Sequence, residues 1–140
     1  MIDYTAELRT WLLTEATVTA QVSTRIWCSP GLSETEADDM PRKCLVILAG
    51  PGPGADRYVP TSVGNAQFRC YGATLPEAWA VYQALYAVLQ RAHHERPATG
   101  KLLLTVHELA HPIDALEPET EWPVVLVTYQ VRYVTDTVTT

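Results

Sequence analysis

The chain has 140 residues, of which 47% are apolar and 19% charged; this predicts one soluble globular domain spanning 1–140, without room for a second core. Its net charge is -6 and its 10 basic residues are scattered, which argues against a protein that grips the phosphates of nucleic acid. Apolar runs such as CLVILA and PVVLV fall far short of the ~20 residues that cross a bilayer, so no membrane partner is expected.

The N-terminal part of the chain predicts one helix followed by two strands. The apolar spacing in Asp3–Thr14 predicts an amphipathic helix, with Asp3 as its cap, and the β-branched run TVTAQV then ends it. Ser23–Cys28 has the composition of a strand. The acidic segment Ser29–Pro41 contains Pro and Gly and predicts a loop, and RKCLVILAG after it predicts a buried strand.

The middle of the chain carries a loop, a strand and the clearest helix signal. Gly50–Ser62 is rich in Gly and Pro and predicts a loop, but it lacks the Lys-Ser/Thr pair and the following helix of a phosphate-binding loop. The alternation in GNAQFRCYG predicts a half-buried strand. Thr74 and Glu77 form a T-x-x-E capping box, and the apolar stripe that follows predicts a helix to Arg91 or His93.

The C-terminal part predicts two strands around a further loop. Lys101–Leu109 is the first strand, Pro112–Glu121 the loop, and Trp122–Thr135 a long strand with one apolar face. The order helix, strand, strand, strand, helix, strand, strand predicts an α+β fold, in which two helices pack on a mainly antiparallel sheet of four to five strands. The edge of the long terminal strand is expected to be free to pair with a neighbour.

The segment HELAH, His107–His111, matches the H-E-x-x-H signature of zinc peptidases. That site needs both histidines on adjacent turns of one helix, with the glutamate polarising a bound water. Here a β-like run precedes His107, and Pro112 disfavours helical geometry at His111. Because histidines four residues apart on a strand stand ~13 Å apart, we expect no metal and no catalytic residue. A small zinc peptidase that uses His107, Glu108 and His111 remains the less favoured alternative.

The other motifs do not indicate an enzyme or a cofactor. The three cysteines, Cys28, Cys44 and Cys70, form no C-x-x-C pair, which predicts reduced thiols buried in strands rather than a disulfide framework or a zinc knuckle. No G-x-S-x-G sequence occurs. The first residues, MIDYTAELR, lack the layout of a signal peptide, so the chain is expected to stay in the cytoplasm where it is made.

Several segments together carry a family resemblance that covers nearly the whole chain. The N-terminal helix leads into VSTRIW, and a proline precedes the strand in MPRKCLVILAG. FRCYGATLPEAWAVYQALYAVL combines a strand, a Tyr-Gly turn and a capped helix, and EWPVVLVTYQVRYV follows near the C-terminus. This layout resembles the tail terminator and tail completion proteins of long-tailed bacteriophages. HELAH is not part of the resemblance.

The resemblance implies a structural role without catalytic residues or cofactors. Similar proteins form a six-membered ring that caps the head-proximal end of the tail tube, ends tube polymerisation and joins the tail to the head. The implied partners are further copies of the chain in a hexameric ring, the tail tube protein and a head-neck connector protein, while DNA passes through without specific binding. The implied location is the virion tail, after assembly in the host cytoplasm.

Arg57, Tyr58 and Trp122 are the expected interface residues, because they are a charge and two aromatics at loop positions. The ordinary alternatives are that Trp122 caps the core and that Arg57 is a solvated loop charge. Two related functions also stay open: another head-tail connector, such as a head-closure or neck protein, and a bacterial protein of a tail-derived machine.

Overall fold

The computed structural model describes residues 4–28, 40, 42–55, 61–94, 103–108, 112–117 and 120–134. These residues form three helices and six strands, in the order α1 (Tyr4–Leu12), α2 (Ala16–Val22), β1 (Ile26–Cys28), β2 (Cys44–Ala55), β3 (Thr61–Tyr71), α3 (Leu75–His94), β4 (Leu103–Glu108), β5 (Ile113–Leu116) and β6 (Pro123–Val134). Among the described helices, none is long and apolar enough to cross a bilayer.

The six strands form one sheet that is five strands wide, because two short strands lie end to end at one edge. The order is β1-β2-β3-β6, followed by an outer position that β4 and β5 share, since both pair with β6. β1 runs parallel to β2, with Ile26 beside Leu45, whereas the other pairs in the described residues are antiparallel. The predicted α+β class with a mainly antiparallel sheet is therefore confirmed.

The long terminal strand β6 lies inside the sheet and not at its edge. One side pairs with β3, from Val124 opposite Tyr71 to Val134 opposite Thr61. The other side pairs with β5 and β4. The expectation that this strand offers a free edge is therefore wrong, because a two-residue alternation identifies a strand but not its neighbours.

A second helix, α2, lies where the sequence predicted only the end of the first. TVTAQV is rich in β-branched residues, which lowers its helix propensity. However, Val18 and Val22 lie one turn apart on α2, and both are buried in the core. Burial of this pair outweighs the propensity cost, so the described residues contain three helices and not the predicted two.

Strand pairing extends into two segments that were predicted to be loops. β5 lies within Pro112–Glu121, and most of Gly50–Ser62 belongs to β2 and β3, with a register shift that begins at Gly50. Gly and Pro are poor strand formers on their own, but here neighbouring strands supply the backbone hydrogen bonds. The predicted loop Ser29–Pro41 lies outside the described residues except for Met40.

The helices cover one face of the sheet and enclose the main core. Phe68 of β3 and Tyr129 of β6 meet edge to face beneath them, with ring centroids 5.4 Å apart. Leu8 and Leu12 of α1 and Leu85 of α3 are fully buried in the same cluster. Burial of each side chain of this size contributes ~1.5–3 kcal/mol, so this side of the sheet holds the fold together. The opposite side is called the open face below.

The junction between β3 and α3 is a tight turn at Gly72. The predicted start of α3 is confirmed: Thr74 Oγ1 accepts a hydrogen bond from the Glu77 N–H at 3.4 Å, and the Thr74 hydroxyl lies 3.4 Å from the Glu77 carboxylate. A Cβ atom at Gly72 would lie 2.5 Å from the backbone nitrogen of Ala78 and 2.7 Å from the Glu77 Cβ. The chain can therefore enter α3 at this point only with glycine.

The first edge of the sheet, at β1, is covered by α1. Arg9 Nε donates a hydrogen bond of 2.6 Å to the Ile26 carbonyl, and the Cys28 thiol donates one of 3.3 Å to the Thr5 carbonyl. Cys28 is half-buried, whereas Cys44 and Cys70 are buried, and all three are free thiols in strands.

Candidate functional site on the open face

The three predicted interface residues are not seen together. Arg57 and Tyr58 lie outside the described residues. Trp122 is half-buried directly before β6, and its ring meets that of Tyr71 edge to face at 6.2 Å. Trp122 thus packs against the open face of the sheet, as expected if it caps a cluster, and still exposes part of its surface. Its interface role stays a prediction.

The first two residues of the HELAH segment lie in a strand and not in the helix that a zinc peptidase requires. His107 and Glu108 lie in β4, in register with Gln130 and Tyr129 of β6. His111 lies outside the described residues. Within the part of the chain that is described, no group of three or more His, Cys, Asp or Glu residues could hold a metal ion. The prediction that the motif begins in a strand is therefore confirmed for His107 and Glu108.

The open face has an apolar end and a polar end. The apolar end consists of two neighbouring rows of strand partners: Trp27, Val46, Arg69, Leu126 and Ile113, then Cys44, Tyr71, Val124 and Ala115. The polar end consists of the next two rows: Leu48, Gln67 and Thr128, then Gly50, Asn65 and Gln130. The apolar end builds a second, smaller hydrophobic cluster, which Met40 and Trp122 also join. The central side chains of this cluster, Cys44, Val46, Tyr71 and Val124, are buried. A partner on this face would therefore meet the half-buried apolar residues around them, beside three amides and the Thr128 hydroxyl.

Glu117 connects the open face to the segment that carries Trp122. Its Oε1 accepts a hydrogen bond of 2.5 Å from the Tyr71 hydroxyl, and its Oε2 accepts one of 3.1 Å from Thr120. Arg69 Nη1 lies 3.6 Å from Oε1. The Glu117 N–H donates to the Trp122 carbonyl at 3.0 Å. These contacts hold a short turn against the sheet and fix the position of the tryptophan.

The ion pair between Arg69 and Glu117 borders a small pocket. The pocket has a volume of ≈ 160 Å³, and Ala115, Val124 and Leu126 contribute apolar surface to it. Ligand sites for drug-sized molecules are larger, ~300–1,000 Å³. The pocket is therefore better suited to one aliphatic or aromatic side chain of a partner than to a metabolite.

Two titratable groups of β3 are held in their neutral forms: Tyr71, which belongs to the open face, and Cys70, which belongs to the main core. Burial, and next the hydrogen bond to Glu117, raise the pKa of Tyr71 above its ordinary range, although Arg69 opposes this effect. Burial, with a smaller effect of Cys44, raises the pKa of the Cys70 thiol in the same direction. A protonated phenol and a protonated thiol are poor nucleophiles. Neither group is therefore a candidate nucleophile.

β5 forms the outer border of the open face. Ile113 and Leu116 expose 61% and 56% of their surface. Between them, the Asp114 carboxylate accepts a hydrogen bond of 3.2 Å from Trp79 Nε1 and so ties β5 to α3. Trp79 begins an aromatic series along α3 that ends at Tyr86, which is 40% exposed.

Sequence reasoning missed most of this site. Side chains alternate between the two faces of a strand, so Arg69 and Tyr71, two residues apart in β3, share one face. This much could have been predicted from the sequence. Glu117 and Asp114 carried no signal, because their partners are 46 and 35 residues away in the sequence. Such contacts appear only once strand order is known.

The fold has a counterpart among solved structures. A chain in the virion of a native gene transfer agent (GTA) particle superimposes with a TM-score of 0.67, over 93% of this chain and 93% of that chain. The two sequences are 12% identical, so the likeness shows a shared fold and no more. No protein-family model matches the chain, and no curated protein matches it.

Proposed function

We propose that this chain is a structural protein of a phage-type virion, and specifically a tail terminator. In this role it caps the head-proximal end of the tail tube, ends tube polymerisation and joins the tail to the head as part of a ring. The observation that carries the proposal is the shared fold with a GTA virion chain over 93% of both chains. The sequence layout, which resembles tail terminators from the first helix to β6, supports the same role independently.

The surfaces of the molecule are compatible with a ring subunit. Heterologous contacts that close a ring require two different surfaces on each copy. The chain offers the apolar end of the open face on one side, and the aromatic series that ends at Tyr86 on α3 on another. In the proposed ring, Trp122 contacts a neighbouring subunit or the tube, together with Arg57 and Tyr58. The net charge of -6 lets DNA pass without specific binding.

A tube-capping assay tests the proposed function. Purified tail tube protein is polymerised with and without the chain, and the lengths and ends of the tubes are counted by negative-stain electron microscopy. We expect a ring at one end and a narrow length distribution. Trp122→Ala should reduce capping, whereas Gln83→Ala, at an exposed position of α3, should leave capping unchanged.

The same assay separates the terminator from a head-closure or neck protein. A connector of that kind binds the head side of the junction and leaves the growing tube uncapped. Tubes of unrestricted length, with bare ends at a saturating concentration of the wild-type chain, would contradict the terminator role. Circular dichroism of each variant checks that lost capping does not result from lost folding.

A further inference from the structure

The outer edge of β5 is unpaired among the described strands, and its protection is limited to Pro112 directly before the strand and Asp114 within it. Edge strands in soluble proteins are usually blunted by charges, proline or a covering element, because a free edge can pair with another chain. In β5 the side chains of Ile113 and Leu116 are 61% and 56% exposed. The charge between them, Asp114, is held by Trp79 of α3. No described strand pairs with β5 on the side away from β6.

This edge is fixed in place before any partner arrives. β5 pairs with β6 through four consecutive register positions, from Ile113 opposite Leu126 to Leu116 opposite Pro123. The Trp79 bond holds it toward α3, and the Glu117–Trp122 backbone bond holds the residue after it. A rigid edge binds an extended segment at a lower entropic cost than a mobile one. The opposite edge, at β1, is covered by α1 and is not equivalent.

The charge around β5 indicates what kind of segment fits. The sequence from Ile113 to Trp122, IDALEPETEW, contains four acidic residues and no Lys or Arg. Asp114 and Glu121 are exposed in the structure. Antiparallel pairing of β5 with β5 of a second copy would bring two such acidic segments together, and like charges placed opposite each other destabilise a strand pair. A basic segment gains from the same charges.

We propose that the outer edge of β5 binds an extended segment of a partner protein as an added strand, in which a Lys or Arg lies opposite Asp114 and aliphatic side chains lie opposite Ile113 and Leu116. Its backbone pairs with Ile113–Leu116. Because Ile113 and Leu116 are three residues apart, they point to opposite faces of the sheet, so the segment places one aliphatic side chain on each face and its basic group on the face of Asp114. Main-chain pairing supplies affinity in this mode, and alternate side chains supply specificity. The inference does not depend on the terminator role.

Selection from a displayed library of random ten-residue peptides tests the proposal. The library is panned on the intact immobilised protein, and the most enriched peptide is synthesised and measured by fluorescence anisotropy. We expect enriched sequences to carry two aliphatic residues three positions apart, with a Lys or Arg between them. Ile113→Ser combined with Leu116→Ser should weaken binding about tenfold or more, whereas Tyr86→Ser, which also removes an exposed hydrophobic side chain, should change it less than about twofold.

Two further readouts address the backbone and the charge. N-methylation of alternate amides along one edge of the peptide should abolish binding, and the peptide should slow amide hydrogen exchange within residues 113–116. Asp114→Asn keeps an acceptor for Trp79 but removes the charge, so it should weaken binding and reduce its dependence on salt.

Three outcomes would overturn the proposal. The first is a library without enrichment, or with enriched peptides that lack a basic residue between two aliphatic residues three positions apart. The second is binding that survives both the double serine variant and N-methylation. The third is self-association of the wild-type chain that the double serine variant abolishes, because the occupant of the edge is then a second copy.

Discussion

At the scale of single residues, the contacts of Glu117 organise the open face. Its carboxylate joins the Tyr71 hydroxyl, Thr120 and Arg69, and so fixes the turn that leads to Trp122. The sequence identified Trp122 as notable but placed Glu117 only in a loop. Trp122 could be singled out by its residue type, whereas the structural role of Glu117 depends on its contacts with β3, a strand that is distant in sequence.

Tyr71→Phe removes the hydroxyl that donates to Glu117 and tests this contact. Loss of a hydrogen bond to a charged acceptor should lower the free energy of unfolding by about 1–2 kcal/mol at neutral pH. Because the pKa of Tyr71 is raised in the folded state, the unfolded chain loses this proton first as the pH rises above the ordinary tyrosine value of about 10. Wild-type stability therefore falls with alkaline pH.

Urea unfolding of both proteins between pH 7 and pH 11 checks the prediction. The stability gap between the wild type and Tyr71→Phe should narrow as the pH rises, because the variant lacks the group that titrates. A gap that stays constant or widens up to pH 11 would show that Tyr71 ionises freely in the folded protein.

At the scale of elements, the sequence predicts what each segment forms better than where it pairs. α1, α3 and β6 carry strong periodicity, and their positions agree with the predictions to within a few residues. α2 and β5 were missed, since each is short and is stabilised by tertiary contacts, the burial of Val18 and Val22 in one case and pairing with β6 in the other. The local signal is weak wherever packing decides the structure.

The turn from β3 to α3 gives a sharp test of element packing. Gly72→Ala would place a methyl group within 3 Å of the first turn of α3, and we expect it to lower the free energy of unfolding by about 1–3 kcal/mol. Gly50→Ala is the matched control, because its Cβ would meet Asn65 atoms at 3.5 Å, an ordinary contact. Chemical denaturation of the two variants should separate them clearly, and equal losses would contradict the close approach at Gly72.

The position of HELAH in β4 leads to a prediction about metal. Because His107 and Glu108 lie in a strand, the purified protein should contain far less than one zinc ion per chain when its metal content is measured by inductively coupled plasma mass spectrometry. Incubation with EDTA should leave the melting temperature unchanged. If the wild type binds one zinc ion per chain and the His107→Ala variant binds none, this prediction is contradicted and the zinc peptidase becomes the favoured alternative.

At the scale of the whole molecule, the sequence predicted the fold class and the structure added the surfaces. The α+β class follows from the order and type of the strong elements. The order of the strands in the sheet could not be predicted from the sequence. The sequence analysis therefore expected β6 to have a free edge, whereas β5 and β4 pair with it there. The open face, the pocket beside Arg69 and the β5 edge all depend on that order, because they join strands that are far apart in the chain.

The most direct test of the account is the location of this chain in an assembled particle. Phage-type particles produced by cells that carry the gene are purified, and the chain is labelled with a gold-conjugated antibody and viewed by electron microscopy. The account predicts label at the junction between head and tail in most particles, and none along the tube. Intact tailed particles without the chain, or with label spread along the tube, would contradict it.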